Sequence, residues 1–138
     1  MSYPLIVLIV EKLGNIKQLQ IKEYNEKDLY KKCGFKSDNN FNVAAQWKIE
    51  GLTIKLYGKT TGKPNTENKY EFPPPIDNTL FFGNCLLLAH ETLKDKNVDL
   101  TLDKWTEYYE ILMKGFEDLT ENDNEEDKDE LNYEPYIN

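Results

Sequence analysis

Seven residues from Pro4 to Val10 are apolar in succession before the chain turns charged at Glu11-Lys12. A short unbroken run of this kind, too short to span a bilayer, predicts a buried strand over residues 4–11. Gly14-Asn15 signals a turn. The segment "IKQLQIKEY", 16–24, then alternates at Ile16, Gln18/Leu19 and Ile21, with one slip that fits a bulge. The two segments are expected to pair as a hairpin. In "NEKDLYKKCG", Asn25 is placed to cap a short helix and Gly34 to close it. Leu29, Tyr30 and Cys33 sit on one side at helical spacing.

The polar stretch 35–42 reads as a loop. The clearest local signal follows it. Val43, Ala45, Trp47 and Ile49 alternate, Glu50-Gly51 makes a tight turn, and Leu52, Ile54 and Leu56 alternate again. This predicts a hairpin with one face inward. After a lysine-bearing loop and three prolines, "NTLFFGNCLLLAHETL" is apolar almost throughout. Residues 79–89 are expected to form a central strand, with a strand followed by a helix as the alternative. Residues 100–119 carry a capping signature at Thr101 or Asp103, then Leu102, Trp105, Tyr109, Leu112, Met113 and Phe116 at helical spacing. The order β-β-α-β-β-β-α implies an α+β fold: an antiparallel sheet of about five strands packed with one or two helices. Residues 1–118 form the globular domain and 119–138 a tail.

Charge sharpens that division. Ten carboxylates lie between Glu117 and Glu134 against Lys128 alone, so this segment carries −9 of the net −8 and the rest of the chain carries +1. Such a composition cannot bury a core and predicts a disordered acidic tail. All 17 basic residues are lysines. Without the planar fork of arginine, sequence-specific DNA readout is not expected, although lysines could touch phosphates. Cys33 and Cys85 form no C-x-x-C pair and read as buried, reduced thiols. The N-terminal run lacks a basic leader and a small-residue cleavage site, so neither secretion nor membrane attachment is expected.

Candidate chemistry is sparse. In "YGKTTGKP", Gly58 and Gly62 are spaced too closely for a phosphate loop, and Lys63 is followed by proline, so a solvated loop is expected. Cys85 and His90 are the one conceivable nucleophile and base, but odd spacing on a strand puts them on opposite faces. Two cysteines and one histidine, scattered, do not build a zinc site. The acidic run "DNEEDKDE" lacks the glycine that a calcium loop needs at Lys128. No catalytic, cofactor-binding or metal-binding residue is therefore assigned.

Two segments are candidates for partner binding. Phe72, Pro73, Pro74 and Pro75 favour polyproline geometry, and "EFPPPID" resembles the acidic-Phe-Pro-Pro-Pro-Pro ligands of EVH1 domains, except that Ile76 stands at the last proline. The competing reading is a stiff crossing that delivers the chain to a buried strand. In the tail, Glu125, Glu126 and Asp127 lie near Tyr133 and Tyr136. Aromatics among carboxylates suit docking on a basic, partly apolar protein, or folding back on the globule.

"LYGKTTGKPNTENKYEFPPPIDNTLFFGNCLLL", "WTEYYEILMKGFEDL" and the acidic tail together resemble a family of small proteins of nucleocytoplasmic large DNA viruses, the giant viruses. The likeness covers roughly residues 23–130 and is most distinctive in "NKYEFPPPIDNTLFFG". It transfers no site residue. It implies a viral protein of the host cytoplasm or viral factory, packaged in the virion in one version. Together with the charge pattern it sets the expectation of a non-enzymatic adaptor whose tail contacts basic partners such as DNA-packaging or transcription machinery. The alternative is a virion structural component that self-assembles as a homo-oligomer through a sheet edge or helix face.

Overall fold

A computed structural model of the chain describes residues 4–94 and 96–121, the last seven of them as backbone. The chain runs β1 (Leu5–Val10), β2 (Ile16–Ile21), a 3-10 turn (Glu26–Asp28) leading into α1 (Leu29–Lys32), β3 (Asn42–Ile49), β4 (Leu52–Lys59), β5 (Phe82–Glu91), β6 (Asn97–Val98) and α2 (Leu102–Glu121). The six strands make one antiparallel sheet in the order β2-β1-β5-β4-β3. The two-residue β6 pairs with β5 through Ala89↔Val98 and His90↔Asn97, on the edge of β5 that faces away from β4. The fold is α+β, with one strand more than the alternation reveals.

The two uninterrupted apolar runs are explained by position. β1 and β5 lie inside the sheet, and each feeds two cores. On one face Leu8, Val10, Cys85, Leu87 and Ala89 join Trp47, Ile54, Leu56, Phe72, Phe81 and Trp105. On the other, Leu5, Val7, Ile9, Leu86 and Leu88 join Ile21, Leu29, Cys33 and Tyr57. Side chains alternate across a strand, so a strand covered on both faces is apolar along most of its length. Each buried Leu or Ile contributes about 1.5–3 kcal/mol.

Local expectations fare unevenly. β2 pairs with β1 in continuous register from Leu5↔Ile21 to Val10↔Ile16, so the bulge expected in it is absent and the strand ends at Ile21. Register shifts fall instead at Val43/Ala45 and at Tyr57/Lys59. The first of these turns Val43 outward, where it is 37 % exposed, while Trp47 stays buried. The Asn25 side chain caps the 3-10 turn by accepting from Lys27 N, and Gly34 closes α1 at φ 86°. β5 starts at Phe82 rather than residue 79, and Leu80 is exposed. Thr101 caps α2, its Oγ1 accepting from Lys104 N at 3.2 Å. The buried stripe of α2 runs through Trp105 and Tyr108, with Tyr109 and Leu112 packed beside it. Leu102, expected on that stripe, faces solvent. No described helix is long and apolar enough to cross a membrane.

The long segment between β4 and β5 is tied down at both ends. Lys69 N donates to Lys12 O, Asn68 N to Phe81 O and Gly83 N to Thr66 O. The Asn68 side chain donates to Val10 O and Gly83 O and accepts from Tyr70 N. Further along, the segment is clamped between β3 and α2. Phe72 stacks on Trp47 and meets Tyr70 and Phe81 edge-on. Trp105 Nε1 donates to the Tyr70 hydroxyl and Tyr109 donates to Glu71 O. The acidic tail expected over 119–138 lies outside the described residues from position 122 onward, and α2 itself continues to Glu121.

Candidate functional site

Four distant stretches converge at the end of the sheet where β1 and β4 finish and β5 begins. They are Lys12 after β1, Cys33–Phe35 after α1, Lys59 with the loop to Thr66 after β4, and Phe82–Asn84. They line an open cleft of about 560 Å³, within the range of small-molecule and peptide pockets.

Its floor is aromatic and built on glycine. Gly83 holds φ 75°, and a Cβ there would stand 2.8 Å from Phe35 Cζ. A Cβ on Gly62 would stand 2.6 Å from Phe82 Cβ. Both rings therefore rest directly on backbone that only glycine leaves open. Lys59 Nζ covers Phe35 at 4.3 Å from the ring centroid, a cation–π geometry. Asn84 fastens the walls: its Oδ1 accepts from Lys12 N at 2.9 Å and its Nδ2 donates to Cys33 O at 3.2 Å. Asn40 reaches across to Thr61 Oγ1 at 2.8 Å.

The electrostatics are one-sided. Lys12, Lys59 and Lys63 line the cleft and no carboxylate does. Among the described residues none of these lysines forms an ion pair. Compact ammonium groups beside apolar rings suit an anion that also carries an apolar or aromatic part. The cleft holds no activated nucleophile. Cys33 borders it, but burial pushes its thiol up to about 12, and thiolate is the reactive form.

The residues proposed from sequence are dispersed. Phe72 and Pro73 are buried, Pro74 is half-buried with its carbonyl accepting from Trp47 Nε1 at 2.8 Å, and only Pro75 is exposed. The Pro74–Pro75 peptide bond is cis. Phe72, the anchor an EVH1-type ligand would present, is therefore occupied by its own core. The segment is a crossing packed between sheet and helix, as the competing reading had it. Glu125, Glu126, Asp127, Tyr133 and Tyr136 lie outside the described residues. Cys85 joins one core, whereas His90 shares the parity of Leu86 and Leu88, its Nδ1 lying 3.1 Å from Glu91 O. The two side chains are not brought together. Among the described residues no cluster of three or more His, Cys, Asp or Glu could hold a metal ion.

Sequence reasoning passed over the cleft. Residues 60–64 are exposed, as expected of a solvated loop, whereas Gly58 is buried and Lys59 half-buried at the end of β4; Lys59, Thr61, Gly62 and Lys63 also form one wall of the site. The available signal was the pair of lysines spaced by Gly62, and it becomes informative only once Phe82 and Phe35 are seen to rest on glycines. No protein-family model matches the chain, and comparison with curated proteins and with solved structures finds no match.

Proposed function

We propose that this is a non-enzymatic interaction protein, an α+β body that carries an acidic C-terminal arm for basic, partly apolar partners. The carrying observation is charge segregation: −9 between Glu117 and Glu134, against +1 over the remainder of the chain. An arm of one sign speeds encounter with an oppositely charged partner, and aromatics within it supply contact area once docked. The likeness to giant-virus proteins favours DNA-packaging or transcription assemblies in the host cytoplasm or viral factory as the setting.

The test uses the full chain and poly-lysine as a basic probe. Affinity is measured against salt for the native protein and for a variant with E125Q, E126Q, D127N, Y133S and Y136S. The native chain should bind with a steep salt dependence and the variant should lose most of its affinity. Equal binding by the two proteins would remove the arm from the function.

A further inference from the structure

We propose that the lysine-lined cleft is the receptor for the chain's own C-terminal segment, with Asp129–Tyr136 as the stretch that fits it. The proposal rests on the partner-binding reading above and adds how the arm is held before a partner arrives: a basic partner takes the arm by drawing it out of the cleft.

The chemistry matches on both counts. Three lysines with no lining carboxylate are complementary in charge to the segment 122–138, which contains seven carboxylates and one lysine. Within eight residues, Asp129–Tyr136 supplies three of those carboxylates (Asp129, Glu130, Glu134) and two tyrosines (Tyr133, Tyr136). Carboxylates suit Lys12, Lys59 and Lys63, and tyrosine rings suit the Phe35 and Phe82 floor. A volume of about 560 Å³ takes a few such side chains rather than the whole segment.

The segment is long enough to reach well beyond the end of α2. Twelve residues separate Glu121 from Tyr133, and at roughly 3.3 Å each they extend to about 40 Å. A domain of this length has a radius of gyration of about 14 Å, so the extended segment is nearly three times that length and its reach covers much of the surface around the end of α2. Tethering favours the same molecule over a second copy, because covalent linkage over so few residues sets an effective concentration on the order of millimolar. Exposed lysine–carboxylate pairs are individually weak, and at that concentration weak pairs suffice.

The experiment uses uniformly ¹⁵N-labelled full-length protein. Three forms are compared: native, an arm variant (D129N, E130Q, Y133S, E134Q, Y136S) and a cleft variant (K59Q, K63Q). Backbone amides of Phe35, Gly62 and Gly83 are followed while salt is raised from about 0.01 M to about 1 M, which shortens the screening length from roughly 30 Å to 3 Å. In the native chain these amides should move with salt toward their positions in the arm variant. In both variants they should be insensitive. If the arm is held nine-tenths of the time, the cleft variant should bind poly-lysine about tenfold more tightly.

The proposal is overturned if the cleft amides coincide in the native chain and the arm variant at low salt. It is equally overturned if the difference grows with protein concentration, which would mean contact between copies. Failure of poly-lysine to bind any form, with the salt-dependent amide shifts intact, would instead defeat the partner reading and leave the cleft contact standing.

Discussion

Trp47 donates its indole N–H to the carbonyl oxygen of Pro74 at 2.8 Å, joining β3 to the crossing segment 27 residues later. The bond closes an aromatic cluster in which the Trp47 ring also packs on Phe72 and Trp105. Trp47→Phe keeps most of the ring packing and strands the carbonyl. It should destabilise the protein by about 1–3 kcal/mol, seen as a lower urea midpoint with unchanged slope. A midpoint equal to that of the native protein would mean that water replaces the bond without loss.

Asn68 is one of three buried polar or charged residues among those described, 7 % exposed. Its side chain bridges the end of β1, the start of β5 and the crossing segment through Val10 O, Gly83 O and Tyr70 N. Asn68→Leu leaves those groups unpaired and should cost about 2–4 kcal/mol. Asn68→Asp should cost more at neutral pH than in acid, because a carboxylate would face two carbonyl oxygens where the amide now donates. Thermal melts of both variants at two pH values distinguish loss of donors from loss of shape.

The glycine floor of the cleft gives a coupled prediction. Gly83→Ala combines a left-handed φ with a Cβ 2.8 Å from Phe35, and should cost about 2 kcal/mol or more. Gly34→Ala, at φ 86° with nothing within 4 Å, should cost only about 1 kcal/mol. Adding Phe35→Ala to Gly83→Ala should recover the steric part, so a double-mutant cycle should give a coupling of about 1 kcal/mol. A coupling of zero would show that the ring moves aside freely.

Alkaline pH should weaken the fold in a defined window. Burial pushes the Cys33 thiol from 9.0 up to about 12 and the Tyr70 hydroxyl from 10.0 up to about 12. Burial likewise raises Cys85, with a further contribution from Cys33. Above the ordinary values the unfolded chain releases protons that the folded chain retains, so stability falls as pH rises. The contribution is complete below about pH 9 and is lost as pH climbs toward 12. Melting temperatures should be flat from pH 7 to 9 and then decline, less steeply in Cys33→Ala. At pH 8 a disulfide reagent should label both thiols only after denaturant is added. Rapid labelling of folded protein would contradict their burial.

The sequence displayed those parts of the fold that depend on neighbours in the chain. The Trp47–Leu56 hairpin, the Asn25 and Thr101 caps and the two-faced burial of β1 and β5 all follow from local spacing. What escaped depends on contacts distant in sequence. β6 is two residues long and exists because Ala89 and His90 offer an edge past Leu8↔Leu87, where the pairing of β5 with β1 stops. Val43 turns outward because the register shifts beside it, which no alternation announces. The cleft draws on positions 12, 33–35, 59–66 and 82–84, and no one of these stretches marks a site by itself. The proline run shows the reverse case. Its ligand-like appearance came from adjacent residues, and its role comes from Trp47 and Trp105, which lie far away in the sequence.

β5 is hydrogen-bonded to β4 along one edge and to β1 and β6 along the other, and both of its faces are covered. No subset of the domain can open and expose its central amides while the remainder stays intact. Deuterium uptake at Leu86–Leu88 should therefore proceed only through molecules that have lost the whole sheet, and the two cores, although they share no side chain, should melt as one cooperative unit.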